Sequence, residues 1–254
     1  MKNLIVANFR DHGKRSSAEL ELMVATQMEN SLALGWSAAD LVVVTNLDLD
    51  VPGLIVRAPL NETCLTGSKM FAIRHLFDAG LIHGKQMWWV HDLDAWQNVW
   101  FDPPEIADIG LAEYSVPKFN GGSIFVRPAA RDLIESVVDR IQSLQHVQEE
   151  PAINHVLRLS QHRHRVTVMN STYNVGCSAY APRYERSHKP ILVSHFRPLT
   201  ETSWRTHVDG INKLGVGSVS PRLLRLLIDR FYKGARPQFT KTHHSARASV
   251  FKRP

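Results

Sequence analysis

The stretch Trp88-Trp89-Val90-His91-Asp92-Leu93-Asp94-Ala95-Trp96 is an apolar run that ends abruptly in two carboxylates two positions apart. The run reads as a buried strand. In an extended segment residues i and i+2 point to one face, so Asp92 and Asp94 would aim their oxygens at a single place where the chain leaves the core. Hard oxygen donors suit Mg²⁺ or Mn²⁺, and a cation held by few protein ligands keeps positions open for a diphosphate. An isolated Asp-x-Asp more often caps a turn or a helix, so the rest of the chain has to decide between these readings.

Outward from that strand, apolar runs alternate with helical patterns. Leu4 to Phe9 is an opening strand, and Ser16-Ser17 supplies a cap for a helix from Ala18 to Leu34, stopped by Gly35. Leu41 to Val44 and Leu54 to Val56 are strands separated by a Pro52-Gly53 turn. Thr66-Gly67-Ser68 caps a helix from Lys69 to Ala79, closed by Gly80 ahead of the strand Met87 to Val90. This alternation predicts an α/β fold: a mixed, mostly parallel sheet with helices on both faces. Ligands of such sheets gather at the carboxyl ends of the strands, where Asn8-Phe9-Arg10, Asn46 and Asp92 to Asp94 fall. After Pro103-Pro104 we expect a strand at Ser123 to Val126 and a helix from Ala129 to Leu144. A further helix runs to Leu159 with Pro151 as its first residue, and Val166 to Met169 and Ile191 to Val193 complete the sheet.

At 254 residues and 44% hydrophobic content the chain can bury one large core, with no internal repeat. The expected division is a catalytic domain over 1–218 and a basic C-terminal helix and flexible arm over 219–254. Leu223, Leu224, Leu226, Leu227 and Phe231 give that helix an apolar stripe to dock on the body, with its arginines facing solvent, and Ala235 to Pro254 is a loosely held arm. Cys64 and Cys177 are the only cysteines, too far apart in sequence and too isolated for a disulfide framework or a zinc quartet. The N-terminus is apolar too briefly for a signal or a span, so a cytoplasmic protein without a transmembrane segment is expected. The chain holds 30 Lys and Arg against 24 Asp and Glu, yet from Arg222 onward there are nine basic residues and one acid, Asp229. The body is therefore slightly acidic and the tail carries the excess. With Phe231, Tyr232, Phe239 and Phe251 interleaved, that tail suits a phosphate backbone or a lipid surface; a solvated helix with a charged end explains it equally well.

Four segments, in order, resemble the nucleotide-sugar glycosyltransferases of the GT-A type. Asp92-Leu93-Asp94 resembles the Asp-x-Asp of that superfamily, and Phe119-Asn120-Gly121-Gly122-Ser123-Ile124-Phe125-Val126 its Phe-Asn-x-Gly strand. Glu149-Glu150-Pro151-Ala152-Ile153-Asn154 is similar to its acidic helix start, and Ser194-His195-Phe196 to the late His-Phe of the glycogenin-like branch. His91 before the first Asp and the Gly-Gly pair after Asn120 depart from the pattern. The resemblance implies a GT-A, Rossmann-like fold and transfer of a sugar from a nucleoside-diphosphate donor, most readily a UDP-sugar, to an acceptor hydroxyl. It also implies Mn²⁺ or Mg²⁺ held by Asp92, Asp94 and His195, contact between Lys69 and the donor, and a retaining mechanism. From the residues alone, His195 is better explained as a hydrogen-bonded core histidine, and Lys69 has the competing reading of an exposed helix lysine.

The remaining donor-site candidates are Ala7, Asn8, Arg10 and Lys14 around the end of the first strand, although a solvated loop also accounts for Arg10 and Lys14. Asn120, Gly121 and Gly122 offer unobstructed backbone amides to a sugar ring, or form a plain turn into a strand. Glu149 and Glu150 are the candidate catalytic residues; the helix dipole explains at least one of them as a cap. An inverting enzyme would use one as general base, whereas a retaining one would use it to stabilise positive character on the sugar. Trp88, Trp89, Trp96, Trp100 and Trp204 are either sugar-stacking walls or core. A metal-dependent phosphohydrolase of the haloacid-dehalogenase type would carry its Asp-x-Asp after the first strand, where this chain has Asn8-Phe9-Arg10. A non-enzymatic nucleic-acid-binding protein would use the tail but leave the Asp pair unexplained. For the acceptor, the tail favours a hydroxylated base in DNA, with a protein, a glycan or a small molecule as alternatives.

Overall fold

A computed structural model describes residues 1–10, 15–58, 68–115, 118–143, 148–176, 180–196, 219–240 and 243. β1 (Lys2–Ala7) sends Leu4 and Val6 to one face and Ile5 and Ala7 to the other, and all four are buried. A strand apolar on both faces belongs in the middle of a covered parallel sheet. It pairs in parallel with β2 (Leu41–Thr45) on one side and β4 (Trp88–His91) on the other, and β2 pairs in parallel with β3 (Leu54–Arg57). β7 (Lys118–Val126) runs antiparallel to both β4 and β6 (Ile109–Ser115), and β8 (Val166–Met169) closes the edge parallel to β6. The order β3-β2-β1-β4-β7-β6-β8 leaves β7 alone reversed, so the sheet is mixed and mostly parallel, as the alternation of elements predicts. At the β2–β3 turn Gly53 adopts φ +98°, and a Cβ there would lie 2.5 Å from the Leu41 carbonyl oxygen, so only glycine fits.

Helices cover both faces. α1 (Ser17–Ala33) starts where Ser16 accepts a hydrogen bond from the Glu19 amide, and α6 (Pro221–Phe231) where Ser220 accepts one from Leu223. Together they bury Met23, Met28, Leu223 and Leu227 against the sheet face of Ile5, Val43 and Trp89. α2 (Ser68–Asp78), α3 (Arg131–Ser143) and α4 (Glu149–Leu157) bury Met70, Leu76, Val137 and Ile153 against the face of Leu4, Val44 and Val90. A second, three-stranded sheet of order β5-β10-β9 is made of β5 (Ala95–Gln97), β9 (Val175–Gly176) and β10 (Val193–His195), with α5 (Tyr180–Arg186) between β9 and β10 in the chain. No helix among the described residues is long and apolar enough to cross a membrane.

Several expectations are corrected. The segment around Ile191 to Val193 does not complete the main sheet: β10 pairs antiparallel with β5 and parallel with β9. Asn120-Gly121-Gly122 lies inside β7 and is not a turn before it. Pro151 is the third residue of α4, not the first; Gln148 is the cap, and so early in a helix a missing amide hydrogen costs no internal bond. Trp88, Trp89 and Trp96 are 2%, 1% and 0% exposed and belong to the core. Trp100 is exposed, packing edge-on against Trp36 at 5.1 Å, while Trp204 lies outside the described residues. Arg222 and Arg225 of α6 are exposed as expected, whereas Arg230 is half-buried, and Arg222 and Arg230 also donate to Asn30 and Glu29 of α1. Phe239 of the expected arm packs against the apolar face that holds α1 and α6.

Candidate functional site

The carboxyl ends of β1 and β4 open into a cavity of about 770 Å³. Asp92 and Asp94 stand at its floor, though not by the strand periodicity the sequence suggests. After β4 the chain turns at once, with the Ala95 amide donating to the Asp92 carbonyl at 2.9 Å. The turn is held from three sides. Buried Gln27 of α1 donates to the carbonyls of Leu93 and Ala95 at 3.0 and 2.9 Å. The Asp92 amide donates to Gly122 on β7 at 3.0 Å, and the Asp94 carbonyl accepts from Phe196, just after β10, at 2.8 Å.

That last bond brings His195 over the carboxylates. Its Nε2 lies 3.5 Å from Asp92 Oδ2 and 3.3 Å from Asp94 Oδ1. Among the described residues Asp92, Asp94 and His195 can each offer one ligand atom with all three within 4.8 Å of one another. Two carboxylate oxygens and one imidazole nitrogen fit Mn²⁺ or Mg²⁺ with positions to spare. The approach depends on Gly122, where a Cβ would lie 2.3 Å from His195 Nδ1. Gly122 therefore provides clearance for His195, and its amide is not left bare for a sugar but donates to Asn120 Oδ1 at 2.7 Å. His91 faces the other way, fully buried, with Nε2 2.9 Å from Asn3 Oδ1, and burial lowers its pKa to about 4. It is a neutral core histidine.

Cations occupy the outer oxygens of both aspartates. Lys69, at the start of α2, binds Asp92 Oδ1 and lies 2.9 Å from Glu149 Oε1, while Arg15 lies 2.9 Å from Asp94 Oδ2. Burial opposes the charge on Lys69, but Asp92 and Glu149 outweigh it and hold the ammonium above its usual range. Burial likewise opposes ionisation of Asp94, yet His195 and Arg15 hold it well below ordinary carboxylates. For His195, burial is overcome by Asp94 and Asp92, which raise its pKa. Glu149 goes the other way: burial pushes it up to about 7 in spite of the adjacent Lys69.

Of the other sequence candidates, Asn8, Arg10, Lys69, Asn120, Gly121, Gly122, Glu149 and Glu150 all line the cavity. Ala7 is buried in the sheet, and Val6 reaches the cavity in its place. Lys14 lies outside the described residues. Asn8 donates to Ser68 at 2.8 Å, tying the end of β1 to the start of α2. Glu150, at the mouth, lies 3.4 Å from Lys118. Asn154, one turn further along α4, grips both the amide and the carbonyl of Phe119 at 2.7 and 3.0 Å, which fixes the helix to the β7 edge of the site. Sequence reading missed Arg15, Ser68, Lys118 and Gln148 on the cavity wall, and Asn174, whose Oδ1 lies 3.1 Å from His195 Nδ1. Arg15 sits directly before the α1 cap, a position at the sheet's ligand-binding end that could have marked it; Asn174 carries no such signal.

No protein-family model and no curated protein sequence matches the chain. Solved structures do match. The glycosyltransferase GlyE of Streptococcus pneumoniae TIGR4 superposes with a TM-score of 0.53 at 12% identity, covering 94% of this chain, which spans 66% of the GlyE chain. The galactosyltransferase LgtC, in complex with donor and acceptor sugar analogs, gives 0.50 at 12% identity over 95% of this chain and 98% of its own. An active-site mutant of LgtC gives 0.51 at 14% identity over 89% and 100%. With its seven-stranded sheet reversed only at β7 and a cavity at the strand ends, the chain has the fold of the GT-A glycosyltransferases.

Proposed function

We propose that this protein is a metal-dependent glycosyltransferase that moves a sugar from a nucleoside-diphosphate donor to an acceptor hydroxyl. The observation that carries the proposal is the convergence of Asp92, Asp94 and His195, from two elements about a hundred residues apart, on the floor of a cavity large enough for such a donor. These three residues would hold Mn²⁺ or Mg²⁺, which when bound neutralises the charge that develops on the departing diphosphate. Lys69 keeps Asp92 and Glu149 in register and presents positive charge to the same place. Asn8 and Arg10, bonded to Ser68, form the wall on which a nucleotide, UDP by the resemblance, would lie. LgtC, with donor and acceptor sugar analogs bound, supports a two-substrate cavity in this fold.

Retention of configuration is the stereochemical reading we favour. Both candidate carboxyls are engaged by lysines, Glu149 by Lys69 and Glu150 by Lys118, and neither is turned toward an incoming hydroxyl as a dedicated base would be. Glu150, the more accessible of the two, then serves the sugar or the acceptor, and Glu149 serves Lys69. As acceptor, a protein or glycan now stands ahead of a hydroxylated base in DNA, because Arg222 and Arg230 of the basic segment are bonded to α1. Incubation with Mn²⁺ and a panel of nucleotide sugars, with mass spectrometry of products, tests the reading. We expect donor hydrolysis or transfer in the wild type and none in Asp92→Asn or Asp94→Asn. Full activity in either variant would sink the mechanism.

A further inference from the structure

We propose that a hydrogen-bond relay beginning at the backbone amide of Gly122 fixes a proton on Nδ1 of His195 and so keeps Nε2 as the ligand atom facing Asp92 and Asp94. The relay rests on the reading of these three residues as a cation site. Its direction follows from one unambiguous donor. A backbone amide can only donate, and that of Gly122 lies 2.7 Å from the Asn120 side chain, so the atom there is the oxygen. The same oxygen is 2.9 Å from the Asn174 amide group and, as an acceptor, turns the Asn174 nitrogen toward itself. Asn174 Oδ1 is thereby turned toward His195, 3.1 Å from Nδ1, and an oxygen at that distance calls for a proton on the nitrogen.

The relay has something to oppose. Two carboxylate oxygens at 3.3 and 3.5 Å from Nε2 would by themselves draw the single proton of a neutral imidazole onto Nε2, the tautomer that cannot ligate. Asn174 is buried and accepts from Nδ1 without adding a third negative charge beside the two aspartates. A ligating histidine commonly has its other nitrogen held by an oxygen acceptor; here that acceptor is an amide whose own orientation is set by the main chain of β7. Gly122 thus acts twice, by its amide and by its missing Cβ. Asn120 and Asn174 are positioning residues in this scheme.

Long-range ¹H–¹⁵N spectra of the full chain, with the His195 signals identified by their loss in His195→Gln, read the tautomer directly. Across a pH series and on adding diamagnetic Mg²⁺, Nδ1 should keep the shift of a protonated nitrogen while Nε2 alone responds. An Nδ1 that loses its proton in the neutral ring overturns the relay. In Asn174→Leu, close in size but without polar atoms, the proton should move to Nε2 and Mn²⁺ affinity, followed by the electron paramagnetic resonance of free Mn²⁺, should fall on the order of tenfold or more. Asn174→Asp, which retains the acceptor though it loses the donor to Asn120, should keep the proton on Nδ1. If Asn174→Leu does not fold, the wild-type spectrum still decides. A wild type that binds neither Mg²⁺ nor Mn²⁺ overturns the ligand role together with the proposed function, whereas the wrong tautomer in a protein that does bind them overturns the relay alone.

Discussion

A Cβ added to Gly122 would meet His195 Nδ1 and Cε1 at 2.3 and 2.4 Å, whereas one on Gly121 would meet Glu149 Oε1 and Ile153 Cδ1 at 3.2 and 3.3 Å. The first contact forces the ring away and the second asks its neighbours for a few tenths of an ångström. Gly122→Ala should therefore weaken Mn²⁺ binding on the order of tenfold or more, with Gly121→Ala close to wild type in the same titration. Equal behaviour of the two would remove Gly122 from the site's design. At Lys69 the issue is charge. Lys69→Met leaves Glu149 and Asp92 without their shared ammonium, and breaking a buried pair costs about 3–5 kcal/mol. The loss has a pH sign. Glu149, already raised from 4.5 to about 7 by burial, would rise further without Lys69. A folded-state pKa above the unfolded one stabilises while the group is protonated and is lost as pH rises through the folded value. Urea unfolding should thus find Lys69→Met more damaging at pH 8 than at pH 5, and adding Glu149→Gln should flatten that difference.

Among the elements, α6 illustrates how an amphipathic pattern is completed by packing. Leu223, Leu227 and Phe231 are buried, Phe231 meets Trp96 edge-on at 6.1 Å, and the pairing of Arg230 with Glu29 joins α6 to α1. α1 in turn supplies Gln27, which shapes the turn bearing the two aspartates. Leu227→Ala should cost about 2–5 kcal/mol in urea unfolding, as for a fully buried leucine. A cost within about 0.5 kcal/mol, the range of ordinary surface substitutions, would show α6 to be a detachable appendage.

At the scale of the whole molecule, the site exists only because segments near residues 8, 15, 69, 92, 120, 149 and 195 meet at one end of the sheet. A ligand that bridges them should stabilise the entire fold. At a hundredfold excess over Kd a ligand contributes roughly 2.7 kcal/mol, which for a chain of this size is a rise in Tm of about 5–10 °C. Mn²⁺ together with UDP should produce a shift of that order. Removing the cation with EDTA should abolish it, and Asp92→Asn should not show it. A shift that survives EDTA unchanged would mean that UDP binds without the cation and would count against the Asp92-Asp94-His195 site.

The alternation of apolar runs and caps was enough, by itself, to specify strand, helix, parallel sheet and the end of the sheet where ligands gather, because burial on both faces and hydrogen-bonded caps are local demands written into consecutive residues. Ser16, Gly53 and the run from Trp88 to Val90 are of this kind. The Asp pair was legible as a candidate for the same reason, although its convergence comes from a turn and not from strand periodicity. What only the tertiary structure decided are the relations among residues far apart in sequence. These include the reversal of β7, the separate sheet that carries His195, the clearance at Gly122, the paired cations Lys69 and Arg15, and Asn174 behind the imidazole. Apart from the place of Arg15 directly before the α1 cap, none has a local signature, since each depends on how a distant strand or helix packs, and packing geometry is a property of the assembled core.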